Sequence, residues 1–244
     1  MLVKLENPAL LSKVVDLISE LVTEVRIKMS NDLGLSIIAM DPANVAMVGF
    51  WLPKTAFSQF EAGEEGEVLG VNLENLKRIL KRAGPGSSLV LEKKDNLLEI
   101  QIQDRIRRNF TLGLIDIDAE EKDMPELEFS SRVELSSIDF ISSIEDCAVV
   151  ADACSFVIID GKFVIEAKSL NSAMSEFSGD EARIQAENCK SKYSLDYLQK
   201  FIKGARLAEK TVLRFAEDHP LRVDFKTPEM ELSFILAPRV ETDD

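Results

Sequence analysis

Two stretches carry the reading of this chain, Asn72-Leu-Glu-Asn-Leu-Lys-Arg-Ile-Leu-Lys-Arg-Ala83 and Ser194-Leu-Asp-Tyr-Leu-Gln-Lys-Phe-Ile-Lys-Gly-Ala205; they stand 122 residues apart and run nearly in step. Each sets apolar residues at helical spacing: Leu73, Leu76, Ile79, Leu80 and Ala83 in the first, Leu195, Leu198, Ile202 and Ala205 in the second. Lys77, Arg78, Lys81 and Arg82 fall on the opposite face of the first helix, and Lys200, Lys203 and Arg206 on that of the second. Residues 72–82 carry net +3 and residues 194–206 net +2, in a 244-residue chain of net −14, so the remainder holds −19. A negative protein ordinarily repels phosphate, but that argument fails when the positive charge is gathered on two equivalent helices. The cations are read as lacking interleaved aromatic rings, and no Asn/Gln/Arg set is placed to read base edges. The expected contact is therefore with a nucleic-acid backbone, independent of sequence and sensitive to salt.

The surrounding pattern extends the repeat. Pro8–Val22 predicts a helix with Leu10, Val14, Leu17, Ile18 and Leu21 inward, Asn7 as its cap and Pro8 in its first turn. Val25–Met29 and Leu35–Met40 predict strands around Asn31–Gly34, and Val45–Leu52 predicts a third. An acidic, glycine-rich loop spans Glu61–Glu67, and Gly84-Pro-Gly86 ends the basic helix. Ser88–Glu92 and Leu97–Gln103 form a hairpin, followed by a long strand over Ile106–Ile117.

The second half repeats the order. A helix over Ser136–Cys147 directs Ile138, Ile141, Ile144 and Ala148 to one face, and Asp160-Gly161 joins strands Ser155–Ile159 and Phe163–Ala167. Ala173–Phe177, Ala182–Ala186, Thr211–Phe215, Leu221–Phe225 and Glu231–Leu236 complete the strands. The expected fold class is α+β: two similar domains of helices and antiparallel sheets, residues 1–117 and 129–244, joined by a connector at 118–128. Asp116–Glu128 holds seven acids against one lysine, which predicts a solvated linker kept extended by its own charge.

Several functions drop out. No apolar run approaches the roughly 18 residues of a membrane span, and the start Met1–Pro8 has no signal-peptide plan. Cys147, Cys154 and Cys189 are odd in number and lack CxxC spacing, which fits reduced thiols in the cytoplasm rather than a disulfide framework or zinc site. His219 is the single histidine and lies in the turn Asp218-His219-Pro220, which removes most nucleophilic triads. A metal-dependent nuclease built on the acid clusters is the remaining enzymatic alternative, but the acids lack calcium-loop order and a basic partner. No catalytic residue, metal ligand or cofactor is expected.

Duplicate halves, an acidic connector and paired cationic helices together resemble the DNA sliding clamps, the proliferating cell nuclear antigen family, in its archaeal form. Met40-Asp-Pro-Ala-Asn-Val45 is similar to the family's loop beneath the partner pocket. Leu114-Ile-Asp-Ile-Asp118 with Met124-Pro-Glu126 resembles its connector, Leu236-Ala-Pro-Arg-Val240 its C-terminal signature, and Asn75–Arg82 its inner helix. The resemblance implies a non-enzymatic processivity factor in the DNA clamp fold, a head-to-tail trimeric ring around duplex DNA. It is expected in the cytoplasm at the nucleoid, loaded by an ATP-driven clamp loader and tethering DNA polymerase, flap nuclease and ligase through clamp-binding peptides. Lys13, Lys77, Arg78, Lys81, Arg82, Lys200, Lys203 and Arg206 would face DNA. The peptide pocket would use Met40, Asn44, Val45, Met47, Met124, Pro125, Pro220, Ile235, Leu236, Ala237 and Pro238. Subunits would meet along Ile106–Asp116 and Ala173–Ser178, through Arg105, Arg107, Arg108 and Phe110 on one side and Asp146, Ala173, Met174 and Phe177 on the other. One departure stands out: Ser136–Cys147 has no Lys or Arg and carries Asp139, Glu145 and Asp146. That leaves open an obligate subunit of a mixed trimer, self-assembly being the first expectation.

Overall fold

The computed structural model describes residues 1–118 and 120–239; Val240, part of the C-terminal signature, lies outside them. Two compact units form, the first from residues 1–42, 48–124 and 228–231, the second from residues 43–47, 125–227 and 232 onward.

The first unit runs β1 (Leu2–Leu5), α1 (Ala9–Ile18), β2 (Glu24–Ser30), β3 (Gly34–Met40), β4 (Ala46–Leu52), a 3-10 turn (Lys54–Ala56), β5 (Gln59–Glu61), β6 (Glu67–Asn72), α2 (Leu73–Leu80), β7 (Ser88–Lys94), β8 (Leu97–Gln103) and β9 (Arg107–Gly113). The second runs β10 (Ser131–Ser136), α3 (Ser137–Val150), β11 (Ala153–Ile159), β12 (Lys162–Lys168), β13 (Ser172–Phe177), β14 (Ala182–Ala186), β15 (Cys189–Ser194), α4 (Leu195–Ala205), β16 (Lys210–Phe215), β17 (Leu221–Lys226) and β18 (Glu231–Leu236). Apart from the 3-10 turn the orders are the same, and so are the sheets. Strand order β5-β1-β7-β8-β9 corresponds to β14-β10-β16-β17-β18, and β6-β2-β3-β4 to β15-β11-β12-β13. The offset is 122 residues from β6 to β15 but 129 from β2 to β11. The excess residues of the first unit sit mainly in the turn after β2, the loop after β3 and the acidic loop before β6. These are surface connections where insertion costs little, so the repeat is plainest at the basic helices.

Local chemistry explains the elements. β2 alternates buried Val25, Ile27 and Met29 with more exposed polar neighbours, as a strand with one core face must. Asp160 and Gly161 both take positive φ (50° and 75°), the geometry of a tight two-residue hairpin turn. In the second unit Phe156 lies within 5.3–6.4 Å of Phe140, Phe163, Tyr193 and Phe215, mostly edge-on, and these rings anchor the core. His219 is structural: its backbone carbonyl accepts a 2.7 Å bond from the Tyr193 hydroxyl and its ring meets Phe129 edge-on.

The structure departs from expectation at four places. Strands β1, β5, β6, β10 and β15 are additions to those expected. The first helix ends at Ile18, and i−3 bonds from Glu20 and Leu21 close it as a turn rather than carrying it to Val22. In α3 the buried face is Ser137, Phe140, Ser143, Ile144 and Cys147, while Ile138 is 74% exposed. The long strand expected over Ile106–Ile117 stops at Gly113, and the chain then docks on its own unit. The Leu114 amide donates to the Asn96 carbonyl (2.8 Å) and the Ile115 amide to the Gly70 carbonyl (2.9 Å). The Arg26 guanidinium donates to the Ile117 carbonyl, and Lys28 Nζ lies 2.6 Å from Glu121 Oε1. Cations of β2 thus lie beside the acids that were expected to hold this stretch out in solvent. No helix among the described residues is long and apolar enough to cross a membrane.

Candidate nucleic-acid interface

In each unit the two helices pack side by side, α1 with α2 and α3 with α4. Asn72 starts α2 by accepting the Asn75 amide at 3.1 Å, and Leu73, Leu76 and Leu80 bury its inner face. Arg78, Lys81 and Arg82 are consequently exposed and Lys77 half-buried. Lys13 is exposed on α1. In α4, Leu195, Leu198, Phe201, Ile202 and Ala205 are buried, with Lys203 and Arg206 exposed and Lys200 intermediate. The cationic faces therefore form, but acids reach into them, Glu74 from α2 itself and others from the neighbouring helix. Lys77 Nζ lies 2.8 Å from Glu74 and 3.3 Å from Asp16, and Lys81 Nζ lies 2.9 Å from Asp16. Glu145 of α3 lies 3.6 Å from Arg206. Partial burial alone would push the Asp16 carboxyl up, but hydrogen bonds and charge from Lys81 and Lys77 outweigh it and hold the group below its ordinary value. One expectation needs correcting: aromatic company is present, since Lys200 Nζ lies 5.3 Å from the centre of the Tyr197 ring.

Strands β9 and β13 each have one paired side in the chain, with β8 and β12 respectively. On β9, Arg107 donates to Gln103 Oε1 at 3.1 Å, while Phe110 is half-buried. Arg108 bonds Asp104 and the Arg82 carbonyl, tying β9 to the end of α2. That engagement and its partial burial remove much of Arg108 from the exposed edge. Arg105 and Asp146 are exposed. On β13, Met174 is 67% exposed and Ala173 intermediate, but Phe177 is buried and stacked on Phe163 at 5.8 Å. Phe177 is therefore core, not edge surface. Further apolar surface lies nearby: Leu170 leads into β13, and exposed Val149 precedes Val150, whose carbonyl accepts the Ser169 hydroxyl.

Among the residues expected to meet partner peptides, Asn44, with φ 56°, and Pro125 are exposed; Met40, Val45, Met124, Pro220, Ala237 and Pro238 are intermediate. Met47, Ile235 and Leu236 are buried and serve the core. The Val45 carbonyl accepts the Ala237 amide at 2.9 Å, which brings two of the expected strings together. No group of three or more His, Cys, Asp or Glu among the described residues is arranged to hold a metal.

The N-terminal domain model of proliferating cell nuclear antigen matches residues 1–122, and the C-terminal domain model matches residues 123–240. The chain belongs to the proliferating cell nuclear antigen family. The DNA polymerase sliding clamp of Thermococcus fumicolans is 36% identical over 230 residues, 91% of this chain and 92% of the relative. That of Pyrococcus furiosus is 32% identical over 238 residues, 94% of each. Two solved structures share the fold at TM-score 0.89: proliferating cell nuclear antigen of Entamoeba histolytica, 25% identical and covering 98% of each chain, and that of Thermococcus kodakaraensis, 22% identical and covering 98% of this chain and 99% of that one.

For a member of the sliding-clamp family the acids among the cations matter most; the sequence sets Asp16 and Glu20 against Lys13, but the pairing of Asp16 with Lys77 and Lys81 was not anticipated. The available signal was its place on α1, a helix with no other acid, whose single lysine is Lys13. Replacing Asp16 with asparagine takes one carboxylate away from both Lys77 and Lys81, while Glu74 stays on Lys77. Duplex DNA affinity, read by fluorescence anisotropy at 0.1 M salt, is expected to rise about two- to tenfold. An unchanged affinity would mean that these lysines do not meet DNA.

Proposed function

We infer that the chain is a DNA polymerase sliding clamp, a non-catalytic processivity factor, and that it works as a closed head-to-tail trimer around duplex DNA. The family assignment of both halves carries the first statement and sets the nuclease alternative aside. The ring is supported by the duplicated unit and by β9 and β13, whose unpaired sides are the kind of edge that a heterologous ring interface covers. In this reading residues 1–117 and 129–244 are the clamp domains, 118–128 is the connector, and the cations of α1, α2 and α4 meet phosphates. Partner peptides of polymerase, flap nuclease and ligase engage the surface residues around Met40, Asn44, Val45, Met124 and Pro125, after a clamp loader has opened the ring.

Retention then depends on topology and not on tight contact, so weak phosphate binding suffices and allows sliding. After loading, the clamp is expected to persist on nicked circular DNA and to run off linear DNA of the same length, as followed by gel filtration of the labelled protein. Equal loss from both would defeat the ring. A specialised mixed trimer is a second reading, favoured by one observation: α3 supplies no cation and sets Glu145 against Arg206.

A further inference from the structure

We propose that Gly70, Arg26 and Lys28 are positioning residues that pin the stretch Leu114–Met124 to the first unit and so preorganise the connector for partner peptides. The proposal rests on the reading of this stretch as part of the peptide-binding surface, but its physical basis lies within the first unit.

Gly70 and Arg26 face each other across β6 and β2. The Ile115 amide bonds the Gly70 carbonyl, and the Ile115 carbonyl oxygen in turn lies over the Gly70 α-carbon. A Cβ added at Gly70 would fall well inside contact distance of that oxygen and 3.4 Å from Ile117 Cγ1. The second unit shows that the hydrogen bond alone does not demand glycine. There Arg239, just past β18, donates its amide to the carbonyl of Lys192 at 2.7 Å, and Lys192 is the β15 residue equivalent to Gly70. What glycine permits is the close approach of the Ile115 carbonyl.

Two residues further on, Arg26 takes the Ile117 carbonyl; Lys28 then takes the Glu121 carboxylate. The Lys28 hydrogen bond, against a small opposing effect of burial, holds Glu121 below its ordinary carboxylate range. At the far end, a Cβ added at Gly49 would come within 3.1 Å of Met124 Cγ, so Met124 also rests on a glycine. Backbone bonds, a guanidinium, an ion pair and two close glycine approaches are thus spread along the stretch. A segment already ordered loses less conformational freedom when a peptide binds, and that saving appears as affinity.

The test uses the full chain with Gly70→Ala, and separately Arg26→Ala combined with Lys28→Ala, which leaves the backbone approach intact. Amide hydrogen exchange over 114–124 is measured alongside the affinity for a fluorescein-labelled clamp-binding peptide from a DNA polymerase. Exchange of the Ile115 amide is expected to quicken at least tenfold in Gly70→Ala, with peptide affinity about tenfold weaker. The double variant should show a smaller change in the same direction, while thermal midpoint and particle mass stay at wild-type values. Unchanged exchange in both variants overturns the pinning. Faster exchange with unchanged affinity overturns preorganisation while leaving the peptide site standing. Failure of the wild-type chain to bind the peptide overturns the site itself, and the proposal with it.

Discussion

Neutralising Arg78, Arg82 and Lys200 together as glutamines is expected to lower the slope of log affinity against log salt for duplex DNA by roughly 2 to 3. These three are chosen because Lys77, Lys81 and Arg206 already have carboxylates within 4 Å, so their removal releases an acid as well as a cation and blurs the readout. Arg78 and Lys200 project from helices whose opposite faces are buried, and Arg82 is exposed in the turn after the first, so glutamine should leave folding intact. The loss should be the same for any duplex sequence, because nothing in either helix is arranged to read base edges. A variant that lost affinity for some sequences and kept it for others would point to base recognition and away from a sliding surface.

The second large effect is expected at the sheet edges. Phe110→Asp on β9, or Met174→Asp on β13, puts a charge where the proposed ring must exclude water. Burying an unpaired carboxylate costs several kcal/mol, enough to raise the dissociation constant of the assembly by on the order of a thousandfold. Light scattering should give about three times 27.2 kDa for the wild-type chain and 27.2 kDa for either variant. Phe110 and Met174 are suited to this test because neither is fully buried within its own unit. Phe177, stacked inside the second unit, would unfold it instead. A wild-type chain that stays monomeric alone would favour the mixed trimer.

Much of the fold was legible in the sequence because its periods are clean. The β2–β3 and β11–β12 pairs, both basic helices and the Asp160-Gly161 turn follow from alternation, helical spacing and turn chemistry. The face of α3 did not follow, for a physical reason. Two of its inward residues are serines whose hydroxyls are satisfied, Ser137 by Thr211 Oγ1 of β16 at 2.9 Å and Ser143 within the helix by the Asp139 carbonyl at 2.9 Å. Apolar residue type therefore pointed to Ile138, which is exposed. β15 hid in the same way, since it buries Ser191 between Cys189 and Tyr193. The cationic faces were legible from composition, but the acids that temper them come from other elements, Asp16 and Glu145, and such pairings need the fold. The connector was read as a solvated, extended linker, and its acids are exposed, but its anchoring was missed because its charges were counted alone. Its anchor left one faint trace, an isolated glycine inside the strand pattern Glu67-Val-Leu-Gly-Val-Asn72.

The matching returns of the chain onto Gly70 and Lys192 bear on where the order of the connector comes from. In both units the backbone leaves the last strand and reaches back to the fourth residue of the equivalent strand. The habit therefore belongs to the unit and not to the joining of two units. The connector opens with the same return that follows the last strand of the second unit, so its anchoring is a feature of the repeated fold and not of its own acidic composition.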